Sequence, residues 1–213
     1  MSFDPLAPHY RWMETVLAGP LLQRCRATHL AAVSNAREVL VLGPGRGRFV
    51  RALLEAAPDA QLTLVDSSAR MLACLRRDLH RLMPAALPRV RLVHADARAW
   101  EPPGTFDLVA THFFLDCFDP ADLQVVVDRV ADWTRPGSRW VVSDFQVPDH
   151  GWRRVRARAV HALMYAFFRV TTRISATHVT PPDPLLERAG FRLDGRTTSN
   201  FGLLHADLWS KVR

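Results

Sequence analysis

At 213 residues, the chain has the length of one α/β domain with a modest insertion, enough to bury a substantial core. Hydrophobic residues make up 48%, and no apolar run approaches the roughly 20 residues of a membrane span, which argues against a helical membrane protein. The net charge of +7 is carried almost wholly by arginine, with Lys211 the sole lysine. The arginines are spread along the chain, and that reads as compositional bias more than as a nucleic-acid footprint.

The amino terminus, MSFDPLAPHY, has no basic stretch followed by an apolar one, so no secretory signal is expected. Cys25, Cys74 and Cys117 are far apart and odd in number. They read as free thiols of a reducing, cytoplasmic compartment, without the spacing of a zinc site. Residues 1–35 are expected to form a helical cap. Tyr10, Trp12, Met13, Val16 and Leu17 recur at helical spacing, and Pro20 suits the first turn of a second helix reaching about Ala32.

The stretch Arg37 to Asp66 then reads as strand, glycine turn, helix, strand. Val39 to Leu42 is a short apolar run, as in a buried parallel strand. Gly43-Pro44-Gly45-Arg46-Gly47 follows directly. Phe49, Val50, Leu53 and Leu54 share one helical face, and Pro58-Asp59 stop that helix. Gln61 to Val65 is a second strand with Asp66 at its carboxyl end. In an open parallel sheet ligands bind beyond the carboxyl ends of the strands. Glycines there admit close backbone approach, and a carboxylate about 20 residues on suits ribose hydroxyls. The unit therefore reads as nucleoside-binding. It is neither G-x-G-x-x-G, since Arg48 replaces the third glycine, nor a P-loop, which needs a lysine.

With G-x-G-x-G after the first strand and Asp66-Ser67-Ser68-Ala69-Arg70-Met71-Leu72 after the second, the segment resembles the class I S-adenosylmethionine-dependent methyltransferases. The resemblance implies a single α/β domain with a Rossmann-like three-layer sandwich. Its seven-stranded sheet would be mostly parallel with an antiparallel last strand, and a helical lid would be inserted at 147–182. It implies S-adenosyl-L-methionine as cofactor, held by Gly43, Pro44, Gly45, Gly47, Asp66, Ser67 and Met71. Asp4, Ala7 and Tyr10 match a D-x-x-A-x-x-Y pattern of the family, which marks Tyr10 as a cofactor or substrate contact. The alternative is that Tyr10 is a packing aromatic.

Ser67 or Ser68 can cap a helix to about Leu82 with Met71, Leu72, Leu75 and Leu79 inward. Pro84 to Pro88 reads as a loop and Val90 to His94 as the third strand. Asp96 and Ala97 then stand where family members contact adenine, although Asp96 could also be a turn aspartate. Phe106 to Thr111 is the fourth strand, entered through the family's Phe-Asp pair. Its end, Thr111-His112-Phe113-Phe114-Leu115-Asp116, is where cofactor and acceptor meet in such folds. His112 and Asp116 are the candidate general bases. His112 could instead be a loop histidine held by the backbone, and Asp116 a helix cap or a contact to the methionine amino group. Phe113, Phe114 and Phe118 suggest an apolar or aromatic acceptor. The D/N-P-P-Y motif of many nucleic-acid and protein N-methyltransferases is absent, so nucleic acid is an unfavoured partner.

A helix from Asp119-Pro120 to about Trp133 follows, then an Arg135–Ser138 turn and a strand from Arg139 to Phe145. Trp152 to Arg173 reads as a long amphipathic helix with Val160, Leu163, Met164, Phe167 and Phe168 on its apolar side. Arg153, Arg154, Arg156 and Arg158 crowd its first turns, where they oppose the helix dipole. A substrate lid, a peripheral membrane contact and a dimer contact all suit this helix. Pro184 to Ala189 is a short helix ending at Gly190. Phe191 to Asn200 and Leu203 to Val212 form a closing strand pair behind an E-x-A-G-F motif that resembles the family's last strands. The expected activity is methyl transfer to a small acceptor. RNA methylation and a catalytically silent cofactor-binding protein are the alternatives.

Overall fold

The computed structural model describes residues 20–172, 176 and 178–212. Tyr10, Trp12 and the start of the expected cap lie outside the described residues. Residues 20–27 are helical (α1) and a single 3-10 turn, Leu30–Val33, follows. The helix expected to reach Ala32 therefore ends earlier.

The elements run β1 (Glu38–Leu42), α2 (Arg48–Ala56), β2 (Gln61–Asp66), α3 (Ala69–Leu82), β3 (Val90–His94) and β4 (Phe106–His112). They continue with α4 (Pro120–Asp132), β5 (Thr134–Phe145), α5 (Gly151–Thr172), α6 (Asp183–Arg188), β6 (Phe191–Ser199) and β7 (Leu204–Lys211). The seven strands form one sheet in the order β3-β2-β1-β4-β5-β7-β6. β7 is antiparallel to both its neighbours, and the β1, β2, β3, β4 and β5 pairings are parallel.

Why the strands are apolar on both faces follows from the packing. Side chains alternate across a strand. Val39 and Val41 face the layer of α2 and α3, against Phe49, Leu53, Leu75 and Leu79. Leu40 and Leu42 face the layer of α4 and α6, against Leu123, Val126, Val130 and Leu186. A sheet covered on both sides needs continuous apolar runs. The four buried residues of α2, Phe49, Val50, Leu53 and Leu54, each contribute about 1.5–3 kcal/mol by leaving water.

Three expectations are corrected. Pro84–Arg89 is a 3-10 turn, not a loop. The Arg135–Ser138 turn is absorbed into β5, where Gly137 takes φ +88° and the β4–β5 register shifts between Phe106 and Leu108. Ser138 donates its hydroxyl to the Phe106 carbonyl at 2.8 Å and accepts the Arg135 N–H at 3.1 Å. The third correction concerns α5. Its packed face is Ala157, His161 and Tyr165, at four-residue spacing, while Val160 is exposed and Leu163 is 76% exposed. Tyr165 donates its hydroxyl to the Asp116 carbonyl at 3.0 Å, and the His161 ring packs edge-on against Phe145 at 5.7 Å. Polar and aromatic partners, more than apolarity, set which face turns inward. The side chains of Phe167 and Phe168 lie outside the described residues. Among the described residues no helix is long and apolar enough to cross a membrane.

Candidate active site

The carboxyl ends of β1, β2, β3 and β4 open into one cleft. Gly43 and Gly45 line it from the β1–α2 turn, Asp66, Ser67 and Met71 from β2–α3, Asp96 and Ala97 after β3, and His112, Phe113 and Phe114 after β4. It encloses about 70 Å³ and widens to about 710 Å³ when the part open to solvent is included.

The glycine turn has two separate jobs. Gly43, Gly45 and Gly47 all have positive φ, at 63°, 54° and 76°, a region costly to residues with a Cβ. A methyl at Gly43 would come within 2.5 Å of Phe114 Cδ2, so the phenyl ring covers that backbone and narrows the cleft. A methyl at Gly47 would come within 2.3 Å of Leu75 Cδ1. Gly47 thus lets the start of α2 pack on α3, and it does not line the cleft. Pro44 lines a smaller recess beside it, shared with Gly43, Gly45 and His112.

Asp66 is fixed by local chemistry. Its Oδ1 accepts the Ser68 N–H at 2.8 Å, and Ser68 in turn caps α3 by accepting the Met71 N–H at 3.1 Å. Met71 is 3% exposed and lines the cleft floor. Asp96 receives the Arg98 backbone N–H, its Nε at 3.0 Å and its Nη2 at 2.5 Å. Arg98 also reaches Asp122 at 2.6 Å. The guanidinium hydrogen bonds hold the Asp96 carboxyl below the usual carboxylate range, as an ionised acceptor at the cleft rim.

His112 is buried, edge-on to Phe49 at 4.2 Å, and neither ring nitrogen has a hydrogen-bond partner among the described residues. Burial, and secondarily the charge of Arg26, hold its imidazole well below its ordinary pKa, so the ring is neutral near pH 7. Phe113 follows with φ +54°, a strained value for a phenylalanine, and its N–H is held by the Ser143 carbonyl at 2.7 Å. Arg26 stacks over its ring at 5.0 Å.

Besides Gly47, two more residues expected in the site lie elsewhere. Thr111 is fully buried, does not line the cleft, and accepts the Trp140 indole N–H at 2.9 Å. Asp116 is turned toward Asp144, whose Oδ2 accepts the Leu115 and Asp116 N–H groups. Sequence reasoning missed Arg26, Arg98, Cys117 and Asp144 as parts of the site, while Phe118 lines the cleft beside Phe113 and Phe114. Arg98, two residues after Asp96, had a local signal. Arg26 had none, since only the fold brings it to Phe113.

A model described as a methyltransferase domain matches residues 39–137. A demethylmenaquinone methyltransferase of Thermus thermophilus is 33% identical over 152 residues, covering 70% of this chain and 66% of that protein. A trans-aconitate 2-methyltransferase of Azoarcus is 39% identical over 77 residues, 36% of this chain and 27% of the relative. The chain thus spans no more than about two thirds of these relatives. Among solved structures, the mitomycin 7-O-methyltransferase MmcR superposes with a TM-score of 0.71 at 19% identity, covering 100% of this chain and 61% of that one. The N-methyltransferase NodS from Bradyrhizobium japonicum gives 0.62 at 16% identity, covering 92% and 99%. With the strand order and the glycine turn in place, residues 39–137 carry a methyltransferase domain, and the chain has the fold of the class I S-adenosylmethionine-dependent methyltransferases.

Proposed function

We propose that the chain is an enzyme that binds S-adenosyl-L-methionine in this cleft and passes its methyl group to a small, apolar or aromatic acceptor. One observation carries the reading. Gly43 and Gly45, both with positive φ, line the same cleft as the Asp66 carboxylate one strand away. In this reading the glycines leave room for the methionine part, and Asp66 accepts hydrogen bonds from the ribose hydroxyls. Asp96, Ala97 and Met71 surround the adenine, with Ser67 beside them. The names of the relatives, two of which are small-molecule methyltransferases, support an acceptor of that size.

When bound, the cofactor supplies a methyl already activated on a sulfonium. The chain's contribution is then mainly placement, which is worth about 7–11 kcal/mol when the reacting atoms are held in line. In this reading His112, whose buried ring nitrogens have no hydrogen-bond partner among the described residues, takes a proton from the acceptor, an effect of about 10²–10⁴-fold. Phe113, Phe114 and Phe118 give the acceptor an apolar wall. Three free thiols among the described residues support a cytoplasmic setting.

Calorimetric titration with S-adenosylhomocysteine tests the reading. The wild-type chain binds, and Asp66→Ala loses at least tenfold in affinity. Equal affinities would overturn the assignment. Labelled methyl transfer to any small acceptor then separates an enzyme from a silent cofactor-binding protein. RNA affinity that falls steeply with salt would favour the RNA alternative.

A further inference from the structure

A second cavity, of about 490 Å³, lies beneath α5. We propose that it binds a small apolar or aromatic carboxylate, gripped by Arg154, Arg158 and His161. Calling that ligand the methyl acceptor rests on the methyl-transfer reading; the carboxylate site itself does not.

Arg154, Arg158, His161 and Tyr165 are spaced four, three and four residues apart, so one face of α5 presents them together. His161 is 4% exposed, and neither of its ring nitrogens has a hydrogen-bond partner among the described residues. Buried polar atoms are normally paired, and these belong to a residue that lines a cavity. Burial holds the imidazole down to about 4, so near pH 7 it is neutral and offers one N–H to a ligand.

Charge favours an anion. Arg154 spends one N–H on the Asp149 backbone carbonyl at 2.9 Å, which leaves the rest of its fork available. Arg158 has no hydrogen bond or ion pair with another described residue. Among the described residues Asp149 is the one acidic group on the wall, against two guanidinium groups. His178 also lines the cavity. A planar carboxylate matches the guanidinium fork with two parallel hydrogen bonds. The remaining wall, with Pro148, Val179 and the Tyr165 ring, suits an apolar body, and the volume lies within the range of about 300–1,000 Å³ of small-molecule pockets.

The cavity also has a physical link to the first cleft. His161 packs on Phe145 at 5.7 Å, and Phe145 packs on Phe113 at 5.2 Å. Phe113 lines the cleft, so a chain of rings separates the two spaces. An acid group on α5 and a reacting atom beyond those rings would belong to one elongated or hinged acceptor.

The test uses salicylate, phenol and inorganic phosphate, followed through the ring resonances of His161 in histidine-labelled protein. Salicylate is expected to shift them saturably, with phenol and phosphate at least tenfold weaker. Arg158→Gln should weaken salicylate at least fivefold, and Arg154→Gln combined with Arg158→Gln should abolish the response. Both arginines are exposed, so the thermal midpoint and the affinity for S-adenosylhomocysteine should stay at wild-type values in both variants. Phenol binding as tightly as salicylate, phosphate binding tightest, or arginine variants that respond like wild type would each overturn the proposal. Salicylate shifting His161 in a protein that does not bind S-adenosylhomocysteine would remove the methyl-transfer reading and leave the carboxylate site standing. The converse result would remove the site alone.

Discussion

Asp144, at the end of β5, accepts the backbone N–H of Asp116 at 3.1 Å, and the two side chains are buried beside each other. Burial pushes both carboxyls up, and Asp144 further, because the charge of Asp116 adds to its desolvation. Two adjoining buried carboxyls share one proton more readily than they ionise together. The pair explains why Asp116, which sequence position pointed at the reacting centre, is turned away from the cleft.

A stability prediction follows from the sign of that shift. Asp144 stays protonated in the folded chain at pH values where the unfolded chain, near the ordinary 3.8, has released its proton. The folded state then binds more protons, so stability falls as pH rises above that ordinary value. Asp144→Asn keeps the acceptor oxygen for the Leu115 and Asp116 N–H groups and cannot ionise. Its urea midpoint is expected to exceed wild type at about pH 8, with a shallower decline from about pH 5. Parallel pH profiles for the two proteins would contradict the shared proton.

Gly43 and Gly47 should separate binding from folding. Each has positive φ, so an alanine at either is strained by about 1–3 kcal/mol. At Gly43 the clash is with Phe114, a cleft side chain, and Gly43→Ala should cost at least tenfold in S-adenosylhomocysteine affinity. At Gly47 the clash is with Leu75, fully buried in the α2–α3 layer. Gly47→Ala should lower the thermal midpoint more, with affinity of the folded protein within about threefold of wild type. Calorimetry and thermal unfolding on the same samples decide it. A Gly47 variant that binds poorly while folding normally would restore that glycine to the cleft.

How much was legible in the sequence depends on how local each cause was. The β1–α2–β2 unit was readable because apolar runs, glycine turn and terminal carboxylate all lie within 30 residues of chain. Gly43, Gly45, Asp66, Met71 and Asp96 line one cleft for the same reason, each sitting just past a strand end. Gly47 and Thr111 sit at equally suggestive positions, yet Leu75 and Trp140, brought in by the fold, decide what they do. The buried face of α5 was misread because the hydrogen bond to the Asp116 carbonyl and the Phe145 ring outweigh the apolarity of Leu163.

Arg98 should matter more to binding than to stability. Its ion pairs with Asp96 and Asp122 are about one third exposed, and such pairs are worth about 0–1 kcal/mol. Arg98→Ala is therefore expected to leave the urea midpoint nearly unchanged. It releases the orientation of the Asp96 carboxylate, and S-adenosylhomocysteine affinity should fall several-fold. A large stability loss with unchanged affinity would make Arg98 a structural residue alone.

His112 makes a pH prediction of the opposite sign to Asp144. Its folded pKa lies well below the ordinary 6.5, through burial first and Arg26 second. As pH falls through 6.5 the unfolded chain takes up a proton that the folded chain refuses, so stability declines with acidification. His161, held at about 4 by burial, adds to the same decline. His112→Gln cannot titrate, and part of the loss between about pH 7.5 and about pH 5 should vanish in it, leaving the His161 share. If His112 also receives the acceptor's proton, the variant loses turnover while its S-adenosylhomocysteine affinity stays near wild type, and the wild-type rate stays level as pH drops past 6.5. A His112→Gln profile parallel to that of wild type over this range would show that the ring reaches water and titrates normally.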